Sequence, residues 1–235
     1  MSLPFSLPAP GEVVLRRARI LAALLAADEG FCAVPVRGIR AETLQRMLSL
    51  YDDAFLGGFL TRFYGRLEVT LYTRLISAAG KFVYTRGRAP VNAEIRLSGD
   101  FLFRLTEGPF LLNGLSVATP QEAFLVVFEH ELCHAAEFAL YGQTGHTRRF
   151  LTLANALFAH TDTRHSLPTR RSEAAKNGLL VGSRVRFPFE GRTLTGTVSY
   201  IGKTATVMVP DARGGYRDSR GRRYAKYRVP LSLLI

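Results

Sequence analysis

The chain has 235 residues, enough to bury a substantial core in one or two domains. Its apolar share of 47% excludes a wholly disordered chain, and no apolar run reaches the roughly 18 residues that a membrane-spanning helix needs. With two cysteines, Cys32 and Cys133, the chain can build neither a disulfide framework nor a zinc site of four thiolates.

The net charge of +12 is concentrated in the last part of the chain. Residues 170–235 contain fourteen Lys/Arg and four Asp/Glu, a net charge of +10, whereas the preceding residues carry only +2. This asymmetry favours two modules with different roles and a polyanionic partner, with nucleic acid ahead of a membrane. The alternative is a solvated basic face that keeps the protein soluble.

The first part of the chain combines helical and strand patterns. Prolines predict a loose tail over residues 1–10, and apolar spacing predicts helices around residues 15–25 and over 42–59. The basic and apolar start loosely imitates a secretory signal, but acidic residues follow directly and no clean cleavage site is present. We therefore expect a cytoplasmic protein, associated with the nucleoid if the source is bacterial.

Alternating apolar residues predict a small sheet after these helices. The predicted strands cover residues 67–72, 81–85 and 92–97. A turn is predicted at residues 87–90. Several strands in succession after helices favour the α+β class over a doubly wound sheet.

The best-marked helix covers residues 119–140. Thr119 is a good N-cap, Pro120 suits the first helical position, and Glu122 completes a capping box. Gly142 can end the helix in a left-handed conformation.

This helix contains His130-Glu131-Leu132-Cys133-His134, an HExxH pattern. Side chains four residues apart lie on one helix face, so the two imidazoles can bind one zinc ion. Glu131 lies about 100° further round the helix, where it can contact a water on the metal and accept its proton. The resulting hydroxide would attack a carbonyl.

The alternative interpretation of this pattern is a pair of histidines that are simply hydrogen-bonded in a helical protein. Cys133 is interpreted as a buried packing residue.

A catalytic zinc takes three protein ligands and keeps one position open. The candidates for the third ligand are His146, His160, His165, Glu137 and Asp162. His146 is preferred because it follows a turn and precedes a further helix, predicted at residues 147–159, that can return antiparallel to the first. His160 and His165 are expected on the surface. Glu137 can orient an imidazole or simply be solvated.

Several short segments carry a resemblance to a known family. They are YDDAF at 51–55, AGK at 79–81, IRLS at 95–98, FEHELCHA at 128–135 and GHTRRF at 145–150. In this order, over about residues 40–160, they resemble the SprT-like zinc metallopeptidases, the family that includes the Spartan protease. The resemblance implies a zincin-like helical domain with a small sheet. It also implies that His130, His134 and His146 bind one Zn²⁺ and that Glu131 is the catalytic acid/base.

The chain departs from the family pattern in two places. The family usually has a second glycine after the third histidine, where this chain has Thr147, which can cap the following helix. Many members carry a zinc ribbon held by four cysteines, which this chain lacks. A role in DNA binding must therefore come from other residues.

From residue 179 the apolar pattern changes to period two, interrupted by glycines. It is similar to a small SH3-like or KOW-type β-barrel over residues 179–235, joined by a linker at 169–178 to the metallopeptidase domain at 1–168. Cations of its Gly-, Tyr- and Arg-rich segment can contact phosphates, and the tyrosines can stack on bases. The residues predicted to bind DNA are Arg213, Tyr216, Arg217, Arg220, Arg222, Arg223, Tyr224 and Lys226. Binding would be independent of sequence, with single-stranded DNA among the forms bound.

The sequence therefore predicts a zinc-dependent endopeptidase, an HExxH metalloprotease, that acts on proteins associated with DNA. Covalent DNA–protein crosslinks are among the substrates that the resemblance implies, and the basic barrel would act as a tether. The strand at 92–97 is expected to offer an edge to an extended substrate. Two alternatives stay open: a non-enzymatic nucleic-acid-binding protein with a structural zinc, and a peptidase whose barrel docks on a protein complex. No membrane partner is expected.

Overall fold

The computed structural model describes residues 3–9, 11–76, 78–85, 90–164 and 166–235. The chain divides into two compact units, Met1–Leu167 and Pro168–Ile235. The first combines helices with a small mixed sheet, and the second consists mainly of an antiparallel sheet, so the predicted α+β class is confirmed. Part of the tail predicted at 1–10 and most of the turn predicted at 87–90 lie outside the described residues.

The helices described in the first unit surround its sheet. They are α1 (Glu12–Leu25), α2 (Glu29–Cys32), α3 (Ala41–Leu56), α4 (Phe59–Phe63), α5 (Gly99–Leu102), α6 (Pro120–Tyr141) and α7 (Arg148–Phe158). The strands are β1 (Arg66–Tyr72), β2 (Gly80–Tyr84), β3 (Asn92–Ser98), β4 (Phe110–Leu112) and β5 (Leu115–Val117). Strands β4 and β5 form a separate antiparallel pair.

The helix predicted over residues 42–59 ends earlier, at Leu56. Gly57 and Gly58 have φ angles of 58° and 73°, in the left-handed region that a residue without Cβ adopts at little cost. Helix α4 starts after this break. The Asp52 carboxylate accepts hydrogen bonds from two backbone N–H groups of α4, at 3.0 and 2.8 Å. The two glycines and Asp52 together redirect the chain.

The sheet of the first unit has the order β1-β3-β2, with β3 parallel to β1 and antiparallel to β2. Strand β3 is central, and its side chains Ala93, Ile95 and Leu97 are buried. The prediction that residues 92–97 offer a free edge is therefore wrong, because both sides of this strand are hydrogen-bonded. Among the described strands, β2 has a neighbour on one side only, and it packs against α6.

Helix α6 is confirmed with the predicted caps. Thr119 Oγ1 accepts a hydrogen bond from the Glu122 N–H at 3.2 Å, and the Glu122 carboxylate accepts one from the Thr119 N–H at 2.9 Å. Gly142 ends the helix with a φ of 70°. The helix is buried on almost every side along most of its length, which is typical of a helix at the centre of a domain.

Glu129 is a fully buried carboxylate on α6. Arg17 of α1 donates hydrogen bonds to both of its oxygens, at 2.7 and 2.8 Å. The Tyr51 hydroxyl donates another at 2.7 Å, and Nε2 of His160 lies 3.0 Å away. Burial opposes the charged form, but the Arg17 charge and these hydrogen bonds lower the pKa of Glu129 below its ordinary value. This network connects α1, α3 and the segment after α7 to the central helix.

The described part of the second unit contains one α-helix, an antiparallel sheet and a short 3₁₀-helix at Leu231–Leu233. Its elements are α8 (Arg170–Lys176), β6 (Arg184–Phe189), β7 (Arg192–Ile201), β8 (Thr204–Pro210), β9 (Tyr216–Arg217) and β10 (Arg223–Pro230). The strand order is β6-β7-β8-β10-β9. Reciprocal backbone hydrogen bonds of 2.9 Å join Ile235 to Arg186 on β6. The five-stranded antiparallel sheet is thus established, and the SH3-like barrel stays a prediction.

The stretch predicted as a linker, residues 169–178, is largely helical. Thr169 Oγ1 accepts a hydrogen bond from the Ser172 N–H at 3.0 Å, which caps α8. Ala174 is buried in the hydrophobic core of the second unit. A helix of seven residues that buries a single alanine leaves no apolar periodicity in the sequence, so the pattern gave no sign of it.

We expect Arg17→Met to lower the free energy of unfolding by about 3–5 kcal/mol, because it leaves the Glu129 carboxylate buried without its cation. Urea denaturation measures this change. Arg19→Met removes an exposed arginine from the same helix and should change stability by less than about 0.5 kcal/mol. Similar small changes in the two variants would contradict a stabilising role for the buried network.

Candidate metal centre

Three histidines meet where α6 ends and the chain turns into α7. His130 and His134 lie one turn apart on α6, and His146 follows the turn that begins at Gly142. The Nε2 atom of His146 lies 2.8 Å from Nε2 of His130 and 3.1 Å from Nε2 of His134. One ligand atom from each residue lies within 4.8 Å of the other two. The turn therefore brings together side chains from two sequence segments.

This group of nitrogen atoms suits one zinc ion. A tetrahedral site with Zn–N bonds of about 2.05 Å separates its nitrogens by roughly 3.3 Å, close to the distances seen here. Burial and the neighbouring His146 lower the pKa of His134 to about 4, so its imidazole is neutral near pH 7, as metal binding requires. In the described part of the chain, no carboxylate or thiolate joins the group. One tetrahedral position is thus left for water or substrate.

Glu137 holds the loop that carries His146. Its carboxylate accepts hydrogen bonds from the Thr144 hydroxyl at 2.8 Å and from the Gly145 N–H at 3.1 Å. Arg149 Nε donates to the other carboxylate oxygen at 2.9 Å. Glu137 is fully buried, so these hydrogen bonds are what makes its charge tolerable in the interior. They also fix the path of the loop.

Thr144 also connects this loop to His134 on α6. Its Oγ1 lies 2.7 Å from Nδ1 of His134. Because the Thr144 hydroxyl donates its hydrogen bond to Glu137, its oxygen accepts a hydrogen bond from the Nδ1–H of His134. This arrangement selects the tautomer in which Nε2 of His134 keeps a lone pair for a metal.

Glu131 is buried against strand β2. A methyl group added to Gly80 would lie 2.6 Å from Cγ and 2.7 Å from Oε1 of Glu131, so the glycine provides the space for this carboxyl group. Burial raises the pKa of Glu131 to about 8, and a hydrogen bond to the Phe82 backbone acts in the opposite direction. A divalent cation at the histidines would favour the charged carboxylate and lower this pKa.

A cavity of about 350 Å³ opens onto the histidines and Glu131. One wall is formed by β2 and the residues just before it. Leu112, Asn113, Val127 and Thr163 also line the cavity. A cleft of this size beside a strand with an unpaired side can accept an extended peptide segment.

The first unit carries the signature of a known family. The SprT-like family model matches residues 44–172, more than half of the chain. The chain belongs to the SprT-like family. The resemblance inferred from the sequence is thereby confirmed, and membership suggests a function of the zinc metallopeptidase type. Searches of curated proteins and of solved structures gave no match.

The SprT-like match contains the three histidines but ends before the sheet of the second unit. The residues predicted to bind DNA lie in that sheet, around the hairpin of β9 and β10. Arg222 Nε donates to Asp218 at 2.8 Å, and Lys226 Nζ lies 5.2 Å from the centre of the Tyr216 ring. The Tyr224 hydroxyl also donates to Asp218. In this hairpin, part of the positive charge is therefore neutralised by an acid.

The other described candidates for the third ligand are not part of the histidine group. His160 is buried and hydrogen-bonded to Glu129, so the prediction of a surface position is wrong. A buried carboxylate draws this imidazole inward, and no sequence pattern links the two residues. Asp162 is exposed and outside the histidine group, and His165 lies outside the described residues. Glu137 is not solvated, because it is fully buried and hydrogen-bonded to the loop that carries His146.

Two residues that serve the SprT-like site were missed as functional residues. Thr144 lies in a polar turn and Gly80 is the first residue of β2, so neither carries a local signal of its role. Cys133 is buried, with Sγ 3.9 Å from the Phe150 carbonyl oxygen, and burial raises the pKa of its thiol well above the ordinary value. The thiol therefore stays protonated and packs as a small apolar group.

In the part of the chain that the structure describes, no helix combines the length and apolar character needed to cross a bilayer. The cytoplasmic or nucleoid location stays a prediction.

Glu137→Gln and Thr144→Val are each expected to weaken zinc affinity about 10–100-fold, because they loosen the loop and release the imidazole of His134. Competition with a chromophoric chelator measures the affinity. Thr152→Val is the matched control, since this hydroxyl bonds only to the Arg148 carbonyl one turn earlier in α7. Unchanged affinity in both test variants would show that the loop needs no such support.

Proposed function

We propose that this protein is a zinc-dependent endopeptidase, an HExxH metalloprotease, that cleaves proteins held on DNA. DNA–protein crosslinks belong to this substrate class, and the second unit would be the tether. The observation that carries the proposal is the convergence of three imidazole Nε2 atoms beside Glu131 in a cavity. Membership of the SprT-like family supports it.

The chain's own residues account for the chemistry around the metal. When bound by the three imidazoles, a zinc ion supplies Lewis-acid polarisation of a peptide carbonyl and acidifies a water molecule. Glu131 takes up the proton of the attacking water and delivers it to the leaving amine nitrogen. Its burial serves both steps, because few groups other than the reacting atoms in the cavity can exchange protons with it.

Strand β2 is the element that can align a substrate. Its unpaired backbone groups allow an extended peptide to add as a further strand along the cavity. Contacts of this kind involve the main chain of the substrate, so they select weakly among sequences. We therefore assign to β2, which lies beside Glu131, the role predicted for residues 92–97, namely to offer a strand edge to an extended substrate.

The tether supplies the selectivity that the cleft lacks. Residues 170–235 carry a net charge of +10, which favours binding to a polyanion. Two proteins bound to the same DNA meet at an effective concentration that reaches about the millimolar range for short connections. A weakly selective peptidase would thus cut mainly the proteins that DNA holds beside it.

A structural zinc site is the main rival interpretation. Such sites are closed by four protein ligands, whereas the described residues supply three, and the cavity lies open beside them. This observation favours the peptidase. The other rival, a peptidase whose second unit docks on a protein complex, predicts no salt-dependent binding to DNA.

Glu131→Gln is expected to lower histone cleavage by at least about 100-fold while zinc stays bound at one ion per chain. The loss follows from removal of the proton acceptor, and the wild type should cleave faster when single-stranded DNA is added. Gel-based cleavage and metal analysis on the same samples measure both effects. Cleavage that survives the substitution would rule out the assigned role of Glu131.

Gly80→Ala should lower kcat by about 10–100-fold with zinc retained, because its methyl group displaces the Glu131 carboxyl group from the cavity wall. Gly215→Ala is the matched control: an added methyl there meets no atom within 4 Å, and its backbone is not left-handed. Equal kcat values in the two variants would contradict the close approach of Gly80 and Glu131.

A further inference from the structure

The sheet of the second unit has two faces of opposite character. The face toward the core carries Val185, Phe187, Val198, Val207 and Val229. Successive residues of a strand point to opposite faces, and residues paired across a sheet share a face. The strand registers therefore define the opposite side, here called the outer face.

Cations and tyrosines recur along the outer face. One row across the sheet runs through Arg184, Thr197, Met208 and Lys226. A second row runs through Tyr200, Thr206 and Arg228. Further pairs on this face are Arg186 with Thr195 and Tyr224 with Tyr216.

Every charged side chain on the outer face of the described strands is a cation. These cations are Arg184, Arg186, Lys226 and Arg228, all of them exposed. Within residues 166–235, none of these four forms an ion pair. Neighbouring strands lie about 4.8 Å apart, so β6 and β10 place the two cation pairs roughly 14 Å apart across the sheet. The face thus offers uncompensated positive charge over a broad surface.

Protection of a sheet edge accounts for only part of this surface. Exposed cations on edge strands discourage pairing between sheets, which can explain Arg184 and Arg186 on β6. It can also explain Lys226 and Arg228, because β9 pairs with only the first two residues of β10, but it does not call for the exposed tyrosines beside these cations. A polyanionic partner accounts for both pairs.

Two tyrosines on the same face remain open to solvent. Tyr200 is 54% exposed and Tyr216 is 49% exposed. The Tyr200 ring lies against Gly202, where an added methyl would come 2.9 Å from the ring. The Tyr216 ring has Lys226 Nζ at 5.2 Å from its centre. Both rings are therefore held in place with part of their surface free.

We propose that the outer face binds single-stranded DNA, with phosphates at Arg184, Arg186, Lys226 and Arg228 and bases stacked on Tyr200 and Tyr216. Cations that neutralise a backbone between aromatic platforms suit a single strand, because only unpaired bases offer their faces for stacking. The inference rests on the proposed tether and deepens it. It keeps Tyr216 and Lys226 of the hairpin at residues 213–226 as contacts and adds residues of β6, β7 and β10 outside that hairpin.

Fluorescence anisotropy tests the phosphate contacts, with full-length protein carrying Glu131→Gln and a labelled oligothymidine of about 20 nucleotides as the probe. Arg184→Ala combined with Arg186→Ala should weaken binding at least about 10-fold and reduce the slope of log K against log salt by about 1.4. The control pair, Arg171→Ala with Arg192→Ala, removes the same charge from α8 and from the other side of β7. It should change affinity less than about 2-fold. Equal losses in the two pairs would show dependence on net charge alone and overturn the proposal.

Stacking is tested with Tyr200. Tyr200→Ala should weaken oligothymidine binding at least about 5-fold without changing the salt slope, while Tyr200→Phe binds normally, because stacking uses the ring and not the hydroxyl. A duplex probe should be unaffected by Tyr200→Ala. Normal oligothymidine binding by Tyr200→Ala, or an equal loss with the duplex, would overturn the assignment to a single strand.

Histone cleavage by the wild type, measured both with and without DNA, separates this inference from the peptidase. Binding that follows the outer face in a protein that cleaves nothing would support the inference and overturn the proposed activity. Cleavage by a protein that does not bind oligothymidine would overturn the inference and leave the activity standing.

Discussion

The site depends on one geometric constraint, the reversal of the chain between α6 and α7. A single helix turn supplies two imidazoles, and the third must come from a segment that has no helical path to them. Gly142 ends α6 in a left-handed conformation, and the Glu137 carboxylate gathers the hydroxyl and backbone groups of the returning loop. Thr147 then caps α7. These local interactions set the position of His146, and with it the number of nitrogen atoms that a metal would meet.

The central helix carries three buried carboxylates whose surroundings assign them different tasks. Glu129 is matched by a guanidinium, a phenol and an imidazole, so it stays charged and holds the fold together. Glu137 accepts hydrogen bonds from the loop that carries His146 and holds that loop in place. Glu131 has no cationic side chain among its hydrogen-bond partners in the described chain, so burial raises its pKa, whereas the Arg17 charge and the hydrogen bonds of Glu129 outweigh burial and lower the pKa of that residue. Environment rather than residue type thus distinguishes the two carboxylates that hold the structure from the one that we propose to be catalytic.

Features encoded by neighbouring residues could be predicted from the sequence, and features that depend on distant pairing could not. The caps of α6, the HExxH spacing and the strand alternation are local, and each was visible. Alternation of apolar residues does not distinguish a central strand from an edge strand. The sequence therefore predicts a free edge at residues 92–97, whereas these residues form the central strand and β2 lies at an edge. The burial of His160 depends on Glu129, 31 positions earlier. The fit of Gly80 against Glu131 likewise joins a strand to a helix across the fold.

Helix α1 lies before the segment that the SprT-like family model matches, yet its Arg17 neutralises a carboxylate on the helix that defines the family. The cooperative folding unit is thus larger than the family signature. A fragment trimmed to residues 44–172 would contain every candidate metal ligand but would lack the guanidinium that balances Glu129, the residue before His130. In this protein, the segment that matches the family is thus shorter than the segment that contains the charged partners of the central helix.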